Sequence, residues 1–259
     1  AFLYRNAFES KGAKEKGDKT LSRCRFVEYF VKMLRIVFMG TPEFAVASLD
    51  ELVKSGCNIV GVITAPDKPA GRGLEIQMSA VKKYALEKNL QVLQPDKLKD
   101  ISFLEKLKSL NADLQIVVAF RMLPEAVWKM PRYGTFNLHA SLLPQYRGAA
   151  PLNWAIINGE KETGVTTFFL EHKIDTGKII MQEKVSIGTD ETAGELHDKL
   201  KNVGAQLVLK TVHAIIADEI SLTEQSFIVK GNLKSAPKIF KEDCRVDWSK
   251  TTTEIHNFI

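Results

Sequence analysis

From Met33 onward, short apolar runs alternate along the chain with longer segments in which apolar residues recur at helical spacing. This alternation is typical of a mostly parallel sheet with helices on both faces, because a helix must return the chain to the edge where the next parallel strand begins. The sequence therefore predicts a Rossmann-like, doubly wound α/β fold. The predicted strands are residues 34–39, 58–64, 91–93, 114–119, 134–139, 164–170 and 178–187. The predicted helices are residues 42–55 with Thr41 as N-cap, 78–88, 101–110, 151–158, and a long one that opens with a capping box at Thr192 and Glu195 and runs to about residue 217.

The chain of 259 residues is long enough for one large domain and part of a second. Residues 1–32 show little periodicity and hold eight bases against four acids, and we interpret them as an extension that lies outside the fold. The opening on Ala1 rather than Met fits a fragment of a longer protein. We predict one α/β domain over residues 33–218, a linker over residues 219–237 and the start of a second domain over residues 238–259.

Charge and composition exclude several classes of protein. The net charge is +5, but the surplus lies mainly in the first 32 residues and leaves 28 bases against 27 acids in the rest. The average charge of the body therefore gives no indication of nucleic-acid binding, and any such site must be local. No stretch approaches the roughly 20 apolar residues of a membrane-spanning helix, so no membrane association is expected. Three widely spaced cysteines indicate reduced thiols, which are typical of a cytoplasmic protein.

A doubly wound sheet raises the possibility of a dinucleotide site at the first strand–helix turn. Here the turn runs from Gly40 to Ala45 and lacks the glycines that let a backbone approach a pyrophosphate, so we expect neither NAD nor ATP. The five histidines show no metal-ligand spacing with cysteines or carboxylates, so we expect no metal either.

Asn137 and His139 lie two residues apart at the end of a predicted strand. Strand alternation places both side chains on one face, at the sheet edge where ligands of open α/β folds gather. An amide next to an imidazole can bind a developing oxyanion and move a proton, which indicates catalysis. From spacing alone the ordinary alternatives stay open, namely an asparagine that caps a turn and a histidine that only packs.

The whole run over residues 135–151, Thr-Phe-Asn-Leu-His-Ala-Ser-Leu-Leu-Pro-Gln-Tyr-Arg-Gly-Ala-Ala-Pro, resembles the signature of the folate-dependent formyltransferases, and Ile174-Asp175-Thr-Gly resembles their second motif. The resemblance implies a catalytic trio of Asn137, His139 and Asp175, with 10-formyltetrahydrofolate as formyl donor. It places the folate-contacting segment on Ser141, Leu142, Leu143 and Pro144.

Three further stretches resemble the members of that family whose acceptor is the amino group of a charged initiator tRNA. They are the opening at residues 35–46, the Gly- and Pro-rich insertion at residues 66–74, and residues 236–248, which are similar to the entry into a five-stranded oligonucleotide-binding barrel. The resemblance implies that Lys68 and Arg72 on the insertion contact the tRNA, because Arg and Lys suit a phosphate backbone. We expect the enzyme to be a monomer.

Two alternatives remain. The protein could be another formyltransferase, or a hydrolase, that uses the same scaffold on a small amine or on water. It could also be a catalytically silent RNA-binding remnant, although a binding protein has no need of an intact trio at Asn137, His139 and Asp175.

Overall fold

The computed structural model describes residues 30–70, 75–228 and 231–259. Most of the predicted extension, together with Arg72, lies outside these residues. The end of the extension does pack on the domain, because Val31 is only 3% exposed and belongs to the main hydrophobic core. The folded domain therefore begins before the predicted boundary at Met33.

The strands are short, as expected for a parallel sheet that is covered on both faces. In chain order they are β1 (Arg35–Gly40), β2 (Asn58–Ile63), β3 (Lys68–Ala70), β4 (Glu75–Gln77), β5 (Val92–Leu93), β6 (Leu114–Val118), β7 (Thr135–His139), β8 (Arg147–Gly148), β9 (Glu162–Phe169), β10 (Ile179–Ser186) and β11 (Ser235–Ala236).

Within the described residues, seven of these strands form one sheet in the order β10-β9-β7-β6-β1-β2-β5. β1, β2, β5, β6 and β7 pair in parallel, whereas β9 pairs antiparallel with both β7 and the edge strand β10. The predicted mostly parallel sheet is confirmed. From β1 the chain adds β2 and β5 on one side, and it then adds β6 and β7 on the other side of β1. The strand order therefore reverses between β1 and β6. In open sheets of this kind, ligands bind at this reversal, beyond the carboxyl ends of the strands.

Helices cover both faces of the sheet. They are α1 (Glu43–Lys54), α2 (Ala80–Glu87), α3 (Ile101–Ser109), α4 (Glu125–Trp128), α5 (Pro151–Ile157), α6 (Ala193–Ala217) and α7 (Thr252–Phe258). The capping box that opens α6 is confirmed, since the Thr192 hydroxyl accepts from the Glu195 backbone N–H and the Glu195 carboxylate accepts from the Thr192 N–H. The Thr41 cap was wrong by one residue: Pro42, at ψ 174°, is the extended residue before α1, and no side chain caps that helix.

Strand alternation divides the apolar side chains between two cores. Ile36 and Phe38 of β1 face the main core with helices α1 and α6, whereas Val37 and Met39 face a second core with helix α3. On β7, Phe136 and Leu138 enter the main core in the same way. The intervening side chains therefore point to the opposite face, near the carboxyl ends of the strands.

Two segments depart from the sequence-based expectations. In the insertion at residues 66–74, where only a loop was expected, residues 68–70 form β3, which pairs antiparallel with β4 directly after the insertion. The expected start of a barrel is not confirmed, because residues 238–259 form a 3-10 turn (Lys241–Cys244) and α7, with no strand between them. Among the described residues, no helix is both long and apolar enough to cross a membrane.

One histidine of α6 makes stability depend on pH. Burial lowers the pKa of His213 below its ordinary value of 6.5. The folded protein therefore binds this proton more weakly than the unfolded chain does, so the stability contributed by neutral His213 is full above about pH 6.5 and is lost as pH falls through the lowered folded pKa. We expect His213→Leu to show a smaller drop in Tm between about pH 7.5 and about pH 5 than the unsubstituted protein. Equal drops in the Tm of the two proteins, measured by thermal unfolding at both pH values, would contradict this expectation.

Candidate active site

A cavity of about 840 Å³ opens at the carboxyl ends of the central strands. Residues that follow β1 and β6 reach it, namely Pro42 and Ala119, as do Asn137 and His139 in the last three residues of β7. Much of its wall is apolar, as is usual for pockets that bury an organic ligand. The large apolar side chains of the wall are Phe44, Phe120, Met122, Leu123, Trp128 and Leu170.

His139 ends β7 and is only 6% exposed. Its Nε2 lies 2.8 Å from the backbone oxygen of Tyr146. A carbonyl oxygen can only accept, so Nε2 carries a proton and donates it, and the ring orientation is fixed by this bond. The other nitrogen, Nδ1, is left facing Oδ2 of Asp175 at 4.0 Å, which is within ion-pair distance and too long for a direct hydrogen bond.

Asp175 lies in the loop between β9 and β10, as the sequence predicted. Its backbone has φ of +54°, in the left-handed region that aspartate tolerates better than most residues. Its Oδ2 accepts a hydrogen bond of 3.0 Å from the backbone N–H of Gly148. The carboxylate is therefore held at a fixed place beside the imidazole.

Asn137 lies on the same face of β7 as His139 and lines the cavity. Its side-chain amide makes no hydrogen bond to any residue that the structure describes. The amide is therefore free to donate to a ligand. All three residues of the predicted trio therefore line the same cavity, and within it the imidazole of His139 faces the carboxylate of Asp175.

The four predicted folate contacts are not among the residues that line the cavity. Ser141 and Leu143 are 0% and 1% exposed, and the Leu143 backbone N–H donates to Thr166 Oγ1 at 3.1 Å. Pro144 is also buried, Leu142 is half-buried, and none of the four lines the cavity. Their role in folate binding stays a prediction.

One of the two predicted tRNA contacts, Lys68, lies on the β3–β4 pair. Lys68 is exposed in β3, and the neighbouring Asp67 anchors the start of this pair through the Lys82 ammonium and through Gln94 Nε2 at 2.8 Å. Arg72 lies outside the described residues. Both contacts stay predictions.

Several residues that form the site were not identified from the sequence. Gly148 supplies the N–H that holds Asp175, the backbone oxygen of Tyr146 orients His139, and residues 119–123 build one wall. A signal existed for the wall, since these residues directly follow the buried strand β6 at the edge where ligands bind. Backbone groups such as those of Tyr146 and Gly148 leave no side-chain signal.

One possible metal-ligating group is present among the described residues, formed by Glu43, His197 and Asp198. The Lys201 ammonium lies 2.7 Å from the Glu43 carboxylate and 3.0 Å from that of Asp198, so these charges are already paired. The absence of a metal stays a prediction.

Gly148 occupies a backbone position that alanine cannot adopt without strain. Its φ is +131°, and an added Cβ would lie 2.2 Å from the Ala236 oxygen. Gly148→Ala should destabilise the protein by about 1–3 kcal/mol and lower turnover, because the bond from its N–H to Asp175 would be displaced. Urea unfolding and initial rates measure both effects.

The matched control is Gly194→Ala, in the first turn of α6, where the nearest atom to an added Cβ is Thr192 Oγ1 at 3.8 Å. That variant should be as stable as the unsubstituted protein or slightly more stable, because alanine favours helix. Equal stability and equal activity of the two variants would show that β8 tolerates a side chain.

Comparison with known proteins places the chain among group-transfer enzymes of the formyltransferase class. A family model described as "Formyl transferase" matches residues 34–212. The chain belongs to this family. The match covers every member of the trio.

Within the family, the chain belongs with the methionyl-tRNA formyltransferases. It is 61% identical over 227 residues to "Methionyl-tRNA formyltransferase" of Bacteroides thetaiotaomicron, covering 87% of this chain and 70% of the relative. It is 58% identical over 229 residues to that of Flavobacterium johnsoniae, covering 88% of this chain and 72% of the relative. The resemblance inferred from the sequence motifs is confirmed.

Solved structures of other formyltransferases have the same fold. An N-formyltransferase of Helicobacter canadensis in complex with folinic acid and dTDP-3-aminofucose aligns with a TM-score of 0.65 at 25% identity, covering 88% of this chain and 80% of that one. A phosphoribosylglycinamide formyltransferase of Bacillus halodurans aligns with a TM-score of 0.60 at 26% identity, covering 71% and 95%. The fold thus accommodates formyl-folate compounds in its relatives.

Proposed function

We propose that the protein transfers the formyl group of 10-formyltetrahydrofolate to the α-amino group of methionyl-initiator tRNA, which gives N-formylmethionyl-tRNA for translation initiation. The observation that carries the proposal is that Asn137, His139 and Asp175 line one open cavity, with His139 facing Asp175. The 61% identity to a methionyl-tRNA formyltransferase supports the choice of acceptor over the amino sugars of the more distant relatives.

The reaction must stabilise negative charge on oxygen. The amine nitrogen attacks the formyl carbon, and the carbonyl electrons move onto the oxygen of a tetrahedral intermediate. The Asn137 amide and a protonated His139 Nδ1 can both donate to that oxygen from the same face of β7. Loss of one such donor typically costs about 3 kcal/mol of barrier.

The reaction must also move one proton. The attacking amine becomes positively charged when its bond to carbon forms, and Asp175 accepts the proton that it loses. When the carbonyl re-forms, the bond between carbon and N10 of the folate breaks, and N10 leaves with the proton that Asp175 accepted from the amine. The Gly148 N–H keeps the Asp175 carboxylate beside the reacting atoms during both steps.

The two substrates reach the trio from different parts of the molecule in this proposal. We propose that the folate lies in the apolar cavity and that the segment from Ser141 to Pro144 contributes to its binding. Lys68 of β3 and Arg72 of the same insertion are proposed to contact the tRNA phosphates. The folate contributes the formyl carbon, and the residues of this chain orient it and stabilise charge.

The test is transfer to tRNA by the purified protein. The protein is mixed with 10-formyltetrahydrofolate and methionyl-initiator tRNA, and formyl-methionine is measured after hydrolysis of the ester. Parallel reactions contain methionyl-elongator tRNA, a dTDP-amino sugar, or no acceptor. The proposal expects formyl-methionine on the initiator tRNA at a rate well above the other three.

Each alternative gives a different result. Formylation of the sugar alone would show a small-amine formyltransferase, and release of formate without an acceptor would show a hydrolase. Binding of tRNA without any transfer would show a silent RNA-binding protein. Any of these would overturn the proposal.

A further inference from the structure

The chain beyond residue 212, where the family match ends, returns to the active site. The Lys234 backbone oxygen accepts from the Tyr146 N–H at 2.7 Å, and β11 pairs in parallel with β8. Tyr146 is the residue whose oxygen orients His139. Residues 219–237, which the sequence predicts to be a linker, therefore bind the backbone on one side of the site.

Gln225 makes the most direct connection from this segment. It opens a 3-10 turn (Gln225–Phe227), and it is only 2% exposed although its side chain is polar. Its Nε2 donates to the backbone oxygens of Asp175 at 2.9 Å and Gly177 at 2.8 Å. Its Oε1 accepts from Nε of Arg147 at 3.0 Å and from Nη2 at 2.6 Å.

These four bonds use the full hydrogen-bonding capacity of the side-chain amide, two donated and two accepted. They also fix which way the amide faces, since only its nitrogen can donate to the two backbone oxygens and only its oxygen can accept from the guanidinium. A buried glutamine with every group satisfied is a strong positional constraint. Gln225 therefore constrains the position of the loop that carries the Asp175 carboxylate.

That loop has backbone geometry that depends on outside support. Asp175 has a positive φ of 54°, and an added Cβ on Gly177 would lie 1.7 Å from the Phe169 oxygen. Both residues present their backbone oxygens to Gln225. Arg147 donates to the oxygen of the Gln225 amide and directly precedes Gly148. The Gly148 N–H in turn donates to the Asp175 carboxylate. Backbone and side chain of Asp175 are thus held by one connected network.

We propose that Gln225 is a positioning residue for catalysis, which fixes the Asp175 loop to Arg147 so that the carboxylate stays opposite His139. This inference rests on the proposed role of Asp175 in formyl transfer. Gln225 touches neither substrate in this proposal and acts only through Asp175. Turnover should therefore depend on Gln225, whereas folate binding should not.

Two variants separate positioning from packing. Gln225→Met keeps most of the volume and removes all four hydrogen bonds. Gln225→Glu keeps an oxygen for Arg147 and adds a charge that pairs with it, but it replaces the donor with an oxygen that faces the oxygens of Asp175 and Gly177. If Gln225 only fills space or only pairs with Arg147, Gln225→Glu should keep that role. If Gln225 holds the Asp175 loop through its N–H groups, Gln225→Glu should lose that role.

The matched control is Gln115→Met. Gln115 is fully buried in β6, near the end of the sheet that lies away from the cavity, and Thr135 Oγ1 donates to it at 3.0 Å. Its Nε2 has no hydrogen-bond partner within the described part of the chain. This substitution also removes a buried glutamine, but it leaves the Asp175 loop untouched.

The full protein is assayed for kcat and KM with methionyl-initiator tRNA, and binding of 5-formyltetrahydrofolate is titrated separately. We expect both Gln225 variants to lose about 10- to 100-fold in kcat, on the scale of a misplaced catalytic group, with the Kd for the folate within about twofold of the unsubstituted protein. Gln115→Met should keep its kcat. Unchanged kcat in Gln225→Glu, or an equal weakening of folate binding, would overturn the proposal.

Amide hydrogen exchange of residues 170–178 gives a readout that needs no activity. Faster exchange in this loop in Gln225→Glu, with unchanged exchange in Gln115→Met, is the expected result. Unchanged exchange in Gln225→Glu would overturn the inference. If the unsubstituted protein transfers no formyl group, the proposed function fails, and the exchange experiment still decides whether Gln225 holds the loop.

Discussion

Replacing His139 with alanine is expected to lower kcat for formyl transfer by at least about 100-fold, on the scale of losing one oxyanion donor from a preorganised site. The structure explains why the loss should be large. Nε2 is fixed by the Tyr146 oxygen at 2.8 Å, so Nδ1 has a defined direction toward the cavity and Asp175. A water molecule that fills the space left by the ring would lack this fixed orientation.

The same substitution should cost little stability. His139 borders an open cavity, so its removal enlarges existing space, and it leaves one backbone oxygen without its partner. A cost of about 1 kcal/mol corresponds to a fall in Tm of about 2–4 °C for a domain of this size. Steady-state rates and thermal unfolding of the same preparation measure the two effects.

His213→Ala is the matched control, since His213 is also partly buried but lies on α6 and does not line the cavity. It should lose some stability and keep its kcat. A well-folded His139→Ala protein with normal turnover would remove His139 from the mechanism, whatever the control shows.

The features that the sequence predicted correctly have a local cause. Short apolar runs identify β1 and β6 because each of these strands is buried on both faces. The two-residue spacing of Asn137 and His139 places both on one side of β7 because side chains alternate along a strand. The motif around Asp175 was identified by resemblance, and its loop position before β10 is confirmed.

The features that the sequence could not predict depend on contacts between distant segments. Gln225 contacts the Asp175 loop across 50 positions in the chain, and no periodicity records such a contact. The burial of Ser141 and Leu143 depends on how β9 and β10 complete the sheet edge. The shift from Thr41 to Pro42 at the start of α1 reflects the ordinary uncertainty of helix ends.

Asp175→Asn is the second substitution with a large expected effect, and it tests charge with almost no change of shape. The asparagine oxygen can still accept from the Gly148 N–H, and asparagine tolerates a positive φ as well as aspartate does. The backbone oxygen that binds Gln225 is unchanged. The loop should therefore keep its position while losing the negative charge opposite His139 and the group that accepts the proton of the amine.

We expect kcat to fall by at least about 100-fold, because both the charge-assisted donor at His139 and the proton acceptor depend on this carboxylate. The matched control is Asp218→Asn, since Asp218 ends α6 with φ of +57° and is exposed. Both substitutions remove one negative charge from a left-handed aspartate, so both should leave Tm nearly unchanged, and only Asp175→Asn should lose turnover. An Asp175→Asn protein with more than about a tenth of normal kcat would mean that the charge is dispensable, and that position 175 contributes only a hydrogen-bond acceptor for Gly148.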